Sequence, residues 1–141
     1  MMFDTKIAII IRNDLQVWQM LNVCAFMTSG IVGQDTTLIG PDYQDQDGNC
    51  FNGLLKQPVI ILSASNDLIK KIHGKALSRD VKASMFIEEM FDTGYDEANR
   101  AEFTKHSVDV ANVVGLGMRA ERRQIDKIAK GAKMQFGMGD M

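Results

Sequence analysis

The chain has 141 residues, 45% of them hydrophobic, with a formal net charge of −2, which suits one domain able to bury roughly two thirds of its unfolded surface. That acidic balance argues against broad binding to nucleic acid, because affinity for phosphates grows with the number of cations brought to the backbone. Two unclustered thiols, Cys24 and Cys50, and no apolar run beyond five residues point to a reduced, cytoplasmic protein with no cofactor, metal site, signal peptide or membrane anchor.

Residues 7–11, Ile-Ala-Ile-Ile-Ile, are consecutively apolar and mostly β-branched, the pattern of a central strand buried on both faces. Asn13 and Asp14 follow as turn and N-cap for a helix beginning near Gln16. Val17, Met20, Leu21, Cys24 and Thr28 fall on one face at helical spacing, while Trp18, Val23, Phe26 and Met27 keep the other faces apolar. Such a helix needs cover on more than one side, which predicts a second helix or a homodimer. Gly30 offers the positive-φ position that would end it.

Residues 34–53 are polar and rich in turn formers. Asp47-Gly48 between Tyr43 and Phe51 predicts a small hairpin, a candidate lid or dimer arm. Its acids do not make a calcium loop: with Asp45, Asp47 and Gly48 at positions three, five and six, Tyr43 falls at one and Leu54 at twelve. Residues 59–62 after Pro58 predict a second strand, and Ser65 caps a helix with Leu68, Ile69, Ile72 and Ala76 on its apolar stripe, ending near Ser78. Residues 83–87 predict a third strand, reached by a right-handed parallel crossover. Residues 110–116 predict a fourth, and a last helix runs from Arg119 or Ala120 to about Met134. The whole chain, 1–141, reads as one domain with a core over about 6–134 and a frayed tail over 135–141.

Several constellations need a chemical test. Gly115-Leu-Gly117-Met-Arg-Ala120 has the spacing of a dinucleotide fingerprint, but no further strand is expected to carry an acid to a ribose, so a glycine-permitted turn is the preferred reading. His73 and His106 are far apart in the chain with no companion ligand at metal spacing, and His73 is placed near the polar face of its helix, solvated. Arg119, Arg122, Arg123, Lys127, Lys130 and Lys133 form a basic stripe, read as the solvated face of the last helix. Arg12, Asn13 and Asp14 after the first strand, with Glu88, Glu89, Asp92 and Thr93 after the third, would emerge at one edge of a parallel pair, where open α/β sheets bind ligands. The same groups could instead form an ion-pair network, Arg12 with Glu88 or Glu89.

Arg12-Asn-Asp14-Leu15 after a buried strand resembles the opening of type II peptidyl-tRNA hydrolases. More closely, the chain resembles a bacterial family of uncharacterised proteins, the domain-of-unknown-function 2000 family. The matching residues are Arg12 to Leu15, Trp18-Gln19 with Leu21-Asn22-Val23, Gly40-Pro-Asp-Tyr43, Gln57-Pro58, Glu89-Met-Phe91-Asp-Thr93, Asp96-Glu-Ala-Asn99-Arg100, Val114-Gly-Leu116 and Asp126-Lys127. The resemblance implies an α/β/α sandwich around a four-stranded mixed sheet, order 2-1-4-3 with the last strand antiparallel, and a homodimer. In the hydrolases a lysine on the first helix, and an aspartate and a threonine after the third strand, serve ester cleavage; here Asn22 stands at the lysine's place, Glu88 or Glu89 at the aspartate's, and Thr93 near the threonine's. An asparagine cannot supply the lysine's charge to an oxyanion. The expectation is therefore a small hydrolase working on something smaller than peptidyl-tRNA through Asn22, Glu88, Glu89 and Thr93, with Arg12, Asp14, Trp18, Gln19, Asn99 and Arg100 binding the ligand. The alternative is a non-catalytic homodimeric module that binds a small molecule or a partner at the same edge.

Overall fold

The structure, a computed structural model, describes residues 3–134; the tail expected over 135–141 lies outside them. The isoleucine run forms the middle of strand β1 (Thr5–Arg12), whose residues from Ile7 onward are all buried. Each fully buried isoleucine side chain contributes about 1.5–3 kcal/mol, so this strand fixes the sheet. Helix α1 (Val17–Gln34) follows, then a hairpin of β2 (Tyr43–Gln44) and β3 (Cys50–Phe51). Next come β4 (Val59–Ala64), α2 (Asn66–Ser78), β5 (Ser84–Ile87), a 3-10 helix (Glu88–Asp92) and α3 (Asp96–Phe103). The described chain closes with β6 (Val113–Glu121), α4 (Arg122–Ile128) and β7 (Lys133–Met134).

The main sheet is mixed, in the order β5-β6-β1-β4-β7. β1 pairs parallel with β4 and antiparallel with β6, and β6 is antiparallel to β5, so β5 runs parallel to β1. The four expected strands are neighbours in the order the resemblance implies, but the sheet has five strands rather than four. β7 adds to the outer edge of β4 through Leu62 and Ser63. Alternation along β1 divides the core in two. Ala8 and Ile10 join Ile69, Ile72, Ile125 and Ile128 of α2 and α4, whereas Ile7, Ile9 and Ile11 join Val23, Met27 and Ile31 of α1. The result is three layers, with one helix on one face and two on the other.

The last helix is shorter and later than expected. Arg119 and Ala120 belong to β6, because that strand runs on to pair Glu121 with Thr5, and this long-range ladder overrides the helical pattern of the local sequence. The basic stripe is thereby broken up. Arg119 bonds Asp35 at 3.3 Å and Asp126 takes Lys6 at 2.6 Å, while Arg123, Lys127, Lys130 and Lys133 stay exposed.

Gly115 and Gly117 lie inside β6, so they form neither a turn nor a phosphate loop. A Cβ on Gly115 would collide with Val23 Cγ1, and one on Gly117 would come within 2.9 Å of Met27 Cβ. Their bareness lets α1 press onto the sheet. Close approach also accounts for Gly30, where a Cβ would collide with Ser84; α1 does not stop there as expected but continues to Gln34. Asp35 ends it and caps the next turn, accepting from Thr37 N at 3.1 Å and Thr37 Oγ1 at 2.5 Å. Those two bonds, helped by Arg119, hold the Asp35 carboxyl below its usual range.

At its start α1 is capped not by Asn13 or Asp14 but by Gln16, whose N–H donates to Gln19 Oε1 at 2.9 Å. Of the apolar faces of α1, the one that is buried carries Val23, Met27 and Ile31. Val17 is 68% exposed, Leu21 65% and Trp18 55%. The second helix behaves as its sequence suggests: Ser65 Oγ accepts from Leu68 N, and Ile69, Ile72 and Ala76 are buried. The exception is His73, expected in solvent but only 7% exposed.

Candidate functional site

The two polar groups that follow β1 and β5 do meet. Arg12, the last residue of β1, is buried to 8% exposure, and its Nε donates to Asp14 Oδ1 at 2.6 Å while Nη2 donates to Glu88 Oε1 at 3.2 Å. Burial works against the guanidinium charge, but the bonds and charges of Asp14 and Glu88 outweigh it and raise the arginine's pKa. The arrangement ties the end of β1 to the 3-10 helix after β5, and the single charge of Arg12 offsets part of the charge of the two carboxylates it holds. Of the two readings open from sequence, an ion-pair network forms here, with Glu88.

Glu89 turns elsewhere. Glu88 and Glu89 open the 3-10 helix rather than extending a strand, so they leave the backbone in different directions. Glu89 Oε1 accepts from Asn112 Nδ2 at 2.6 Å. Its Oε2 is buried without a hydrogen bond, 3.9 Å from His106 Nε2. Neither glutamate lines a cleft with Asn22.

Asn22 instead shares a cleft of about 170 Å³ with Thr93 and Asn99, walled by Phe26, Phe86 and Phe91. Through common walls at Phe26, Phe86, Met90, Asp96 and Asn99 it adjoins a broader cleft of about 560 Å³ that includes Arg100 and Ser84. α1 contributes Asn22 and Phe26, β5 contributes Phe86, and α3 contributes Asn99. Four rings run along this side: Trp18 meets Phe91 edge-on at 5.7 Å, Phe91 lies 5.0 Å from Phe86, and Phe86 lies 5.6 Å from Phe26. Thr93 Oγ1 donates to Met90 O at 3.0 Å and also contacts Asn99 Oδ1. The Asn22 carboxamide makes no hydrogen bond to another described residue. Gln19 and Trp18 are occupied locally, Gln19 with Gln16 N and Trp18 Nε1 with Gln16 Oε1 at 2.7 Å. Arg100 pairs in solvent with Asp96 at 2.6 Å.

The aromatic wall and the roles of Asn112, Glu102 and His106 were not singled out from sequence. One signal was present: Glu102 and His106 stand four residues apart, the spacing at which helical side chains meet, and their atoms lie 3.5 Å apart. Lys105 chiefly, and His106 in addition, hold the Glu102 carboxyl below its usual range. Among the described residues no group of three or more His, Cys, Asp or Glu is placed to hold a metal ion, and no helix is long and apolar enough to cross a membrane.

No curated protein matches the chain. A solved structure of a protein of unknown function from Agrobacterium tumefaciens superposes with a TM-score of 0.93 at 52% identity, covering 94% of this chain and 98% of that one. The family described as "Protein of unknown function (DUF2000)" matches residues 5–135. With nearly the whole chain matched, the protein belongs to the DUF2000 family.

Proposed function

We propose that this protein is a non-catalytic binding module whose ligand is a small, planar, neutral molecule with an amide-like edge, held in the cleft of Asn22, Thr93 and Asn99. The observation that carries this reading is the Asn22 carboxamide, without a hydrogen-bond partner among the described residues, in the lining of an aromatic-walled cleft. A carboxamide offers donors and an acceptor side by side, which matches an amide or lactam edge, and the rings of Phe26, Phe86 and Phe91 supply faces for a flat body.

A hydrolase is less favoured by the same geometry. A hydroxyl nucleophile needs a base within hydrogen-bond reach, whereas the Thr93 proton is directed at Met90 O and Asn99 Oδ1. Glu88 is held by Arg12 and Glu89 by Asn112, away from Thr93.

The module works as a homodimer in this reading. None of the 18 residues of α1 is charged, and its outer face presents Val17, Trp18 and Leu21 to solvent. The hairpin arm adds exposed Tyr43, Phe51 and Leu54. An uncharged face of this kind is matched by a second copy of itself across a two-fold axis, and exposed apolar patches beyond a few hundred Å² mark interaction surfaces.

The chain's one tryptophan, Trp18, touches the ring wall through Phe91, so its fluorescence tests the binding reading directly. Titration with nicotinamide and uracil, planar molecules with an amide or lactam edge, is expected to change Trp18 emission saturably, and Asn22→Ala to weaken the response at least tenfold. Emission that never saturates with either compound would remove the support for this ligand class.

A further inference from the structure

Charge is distributed unevenly over the molecule. Residues 66–80 and 121–134, which hold α2 and α4, carry nine lysines and arginines against four acids, whereas the rest of the chain has seven against fourteen. The two helices lie side by side and antiparallel. Leu68, near the start of α2, packs against Gly131 beyond the end of α4, where a Cβ would come within 3.3 Å of Leu68 Cδ2. Arg79, at the end of α2, donates to Gln124 Oε1 near the start of α4 at 2.9 Å.

These two contacts mark the sides on which the helices meet. Lys71, Lys75 and Arg79 follow Leu68 at intervals of three, four and four residues, so they stand in one row on that side of α2. On α4, Lys127 lies between Gln124 and Gly131 on the matching side, with Arg123 one turn before it. Lys71, Arg79, Arg123 and Lys127 are exposed and Lys75 is half-buried, and none of the five is ion-paired with another described residue. The acids of the two helices do not offset them: Asp126 is held by Lys6 at 2.6 Å, and Asp67, one turn before Lys71, makes no pair with it.

A row of cations four residues apart along a helix repeats every ~6 Å, the step at which a second helix presents carboxylates four residues apart. Helices pack about 8–10 Å apart, so the rows on α2 and α4 both lie within about one screening length of a helix laid between them. Other anions fit less well. Neither α2 nor α4 has a Phe, Tyr or Trp on which unpaired bases could stack, and their isoleucines are buried rather than offered to a bilayer. A nucleic-acid duplex or a membrane would also meet the acidic remainder of the molecule, whereas a short segment meets only the groove. We propose that the groove between α2 and α4 is a docking site for a short acidic helix of a partner protein, its Glu or Asp side chains at four-residue intervals set between Lys71, Lys75 and Arg79 on one side and Arg123 and Lys127 on the other. The surface is separate from the Asn22 cleft, which lies on the α1 face of the sheet.

The test uses the full chain and a fluorescein-labelled, alanine-rich helical peptide with glutamate at every fourth position, followed by fluorescence anisotropy. Expected are saturable binding that weakens as salt is raised and at least tenfold weaker binding of the same peptide with glutamine in place of glutamate. Lys71→Glu and Lys127→Glu should each weaken the glutamate peptide at least fivefold. Lys56→Glu, the same change of charge at an exposed position beside Asp35, should weaken it less than twofold. Having two variants on different helices keeps the test open if one of them fails to fold. No saturable binding at low ionic strength overturns the proposal, as does a loss with Lys56→Glu equal to that with Lys71→Glu or Lys127→Glu. Retained affinity in either folded variant overturns it too. Tighter saturable binding of duplex RNA or of phosphatidylserine vesicles under the same conditions would assign the face to a different anion and overturn it as well.

Discussion

The two faces of the sheet solve the same problem differently. On one, α2 and α4 together close over Ala8, Ile10, Leu116 and Met118, and Ile69, Ile72, Ala76, Ile125 and Ile128 are spent inside. On the other, α1 covers Ile7, Ile9, Ile11 and Val114 through Val23, Met27 and Ile31, while Val17, Trp18, Leu21 and Phe26 of the same helix are exposed. A face closed by two helices is occupied with stability. A face closed by one uncharged helix leaves apolar surface exposed, and the aromatic cleft and the exposed stripe are both found there.

Breaking the closed face should have the largest effect. Ile72→Ala removes a fully buried side chain from α2, and denaturant unfolding should show a loss of about 2–5 kcal/mol. A methyl group added at the single-helix interface tests how closely α1 is seated. Gly115→Ala drives a Cβ into Val23, and the same measurement should register about 1–3 kcal/mol of destabilisation from overpacking. A cost near zero would mean that α1 can lift off the sheet freely.

The closed face also predicts a pH dependence. The His73 pKa is lowered in the folded chain by burial, so below its ordinary value of about 6.5 the unfolded chain binds a proton that the folded chain does not. Stability should therefore fall as the pH drops from 7.5 to 5.5. His73→Leu should flatten that fall in urea midpoints taken at the two pH values, and an unchanged slope would contradict the burial argument. The open face should respond least in folding. Leu21→Ala, at a position 65% exposed, should change the stability of the isolated chain by less than about 0.5 kcal/mol. Leu21→Asp should nevertheless turn a particle of twice the chain mass in light scattering into one of single mass. A wild-type chain that is monomeric at all dilutions would remove the dimer.

How much of this could be read from sequence follows the same division. β1 was legible because its five consecutive apolar residues are mostly β-branched and bounded by Lys6 and Arg12, and α2 because Ser65 and a clean 3.6-residue stripe set its start and phase. The phase of α1 was not, since a helix apolar on all sides has no unique inward face. The boundary between β6 and α4 was hidden because Arg119 to Glu121 are held by pairing with Thr5 to Ile7, more than a hundred residues away, and no local pattern reports that. At the site, opposite charges suggested that Arg12 pairs with Glu88 or Glu89 without choosing between them, and the structure selects Glu88. Strand alternation already sends Glu88 and Glu89 to different sides, but the 3-10 turn they open and the Asn112 partner of Glu89 have no signal in the local sequence. His73 was misplaced because an imidazole on a charged helix reads as solvated, and its burial to 7% exposure has no signal in the local sequence.

The central claim, that the single-helix face holds a binding cleft, is tested most directly by the melting temperature of the wild type and of Asn22→Ala with nicotinamide or uracil present. At ten times its Kd a ligand adds about 1.4 kcal/mol, roughly 5 °C for a chain of this size. The account predicts that rise in the wild type and its loss in Asn22→Ala, which should melt at the same temperature as the wild type when no ligand is added. A wild-type melting temperature indifferent to both compounds, or a rise that survives in Asn22→Ala, would contradict it.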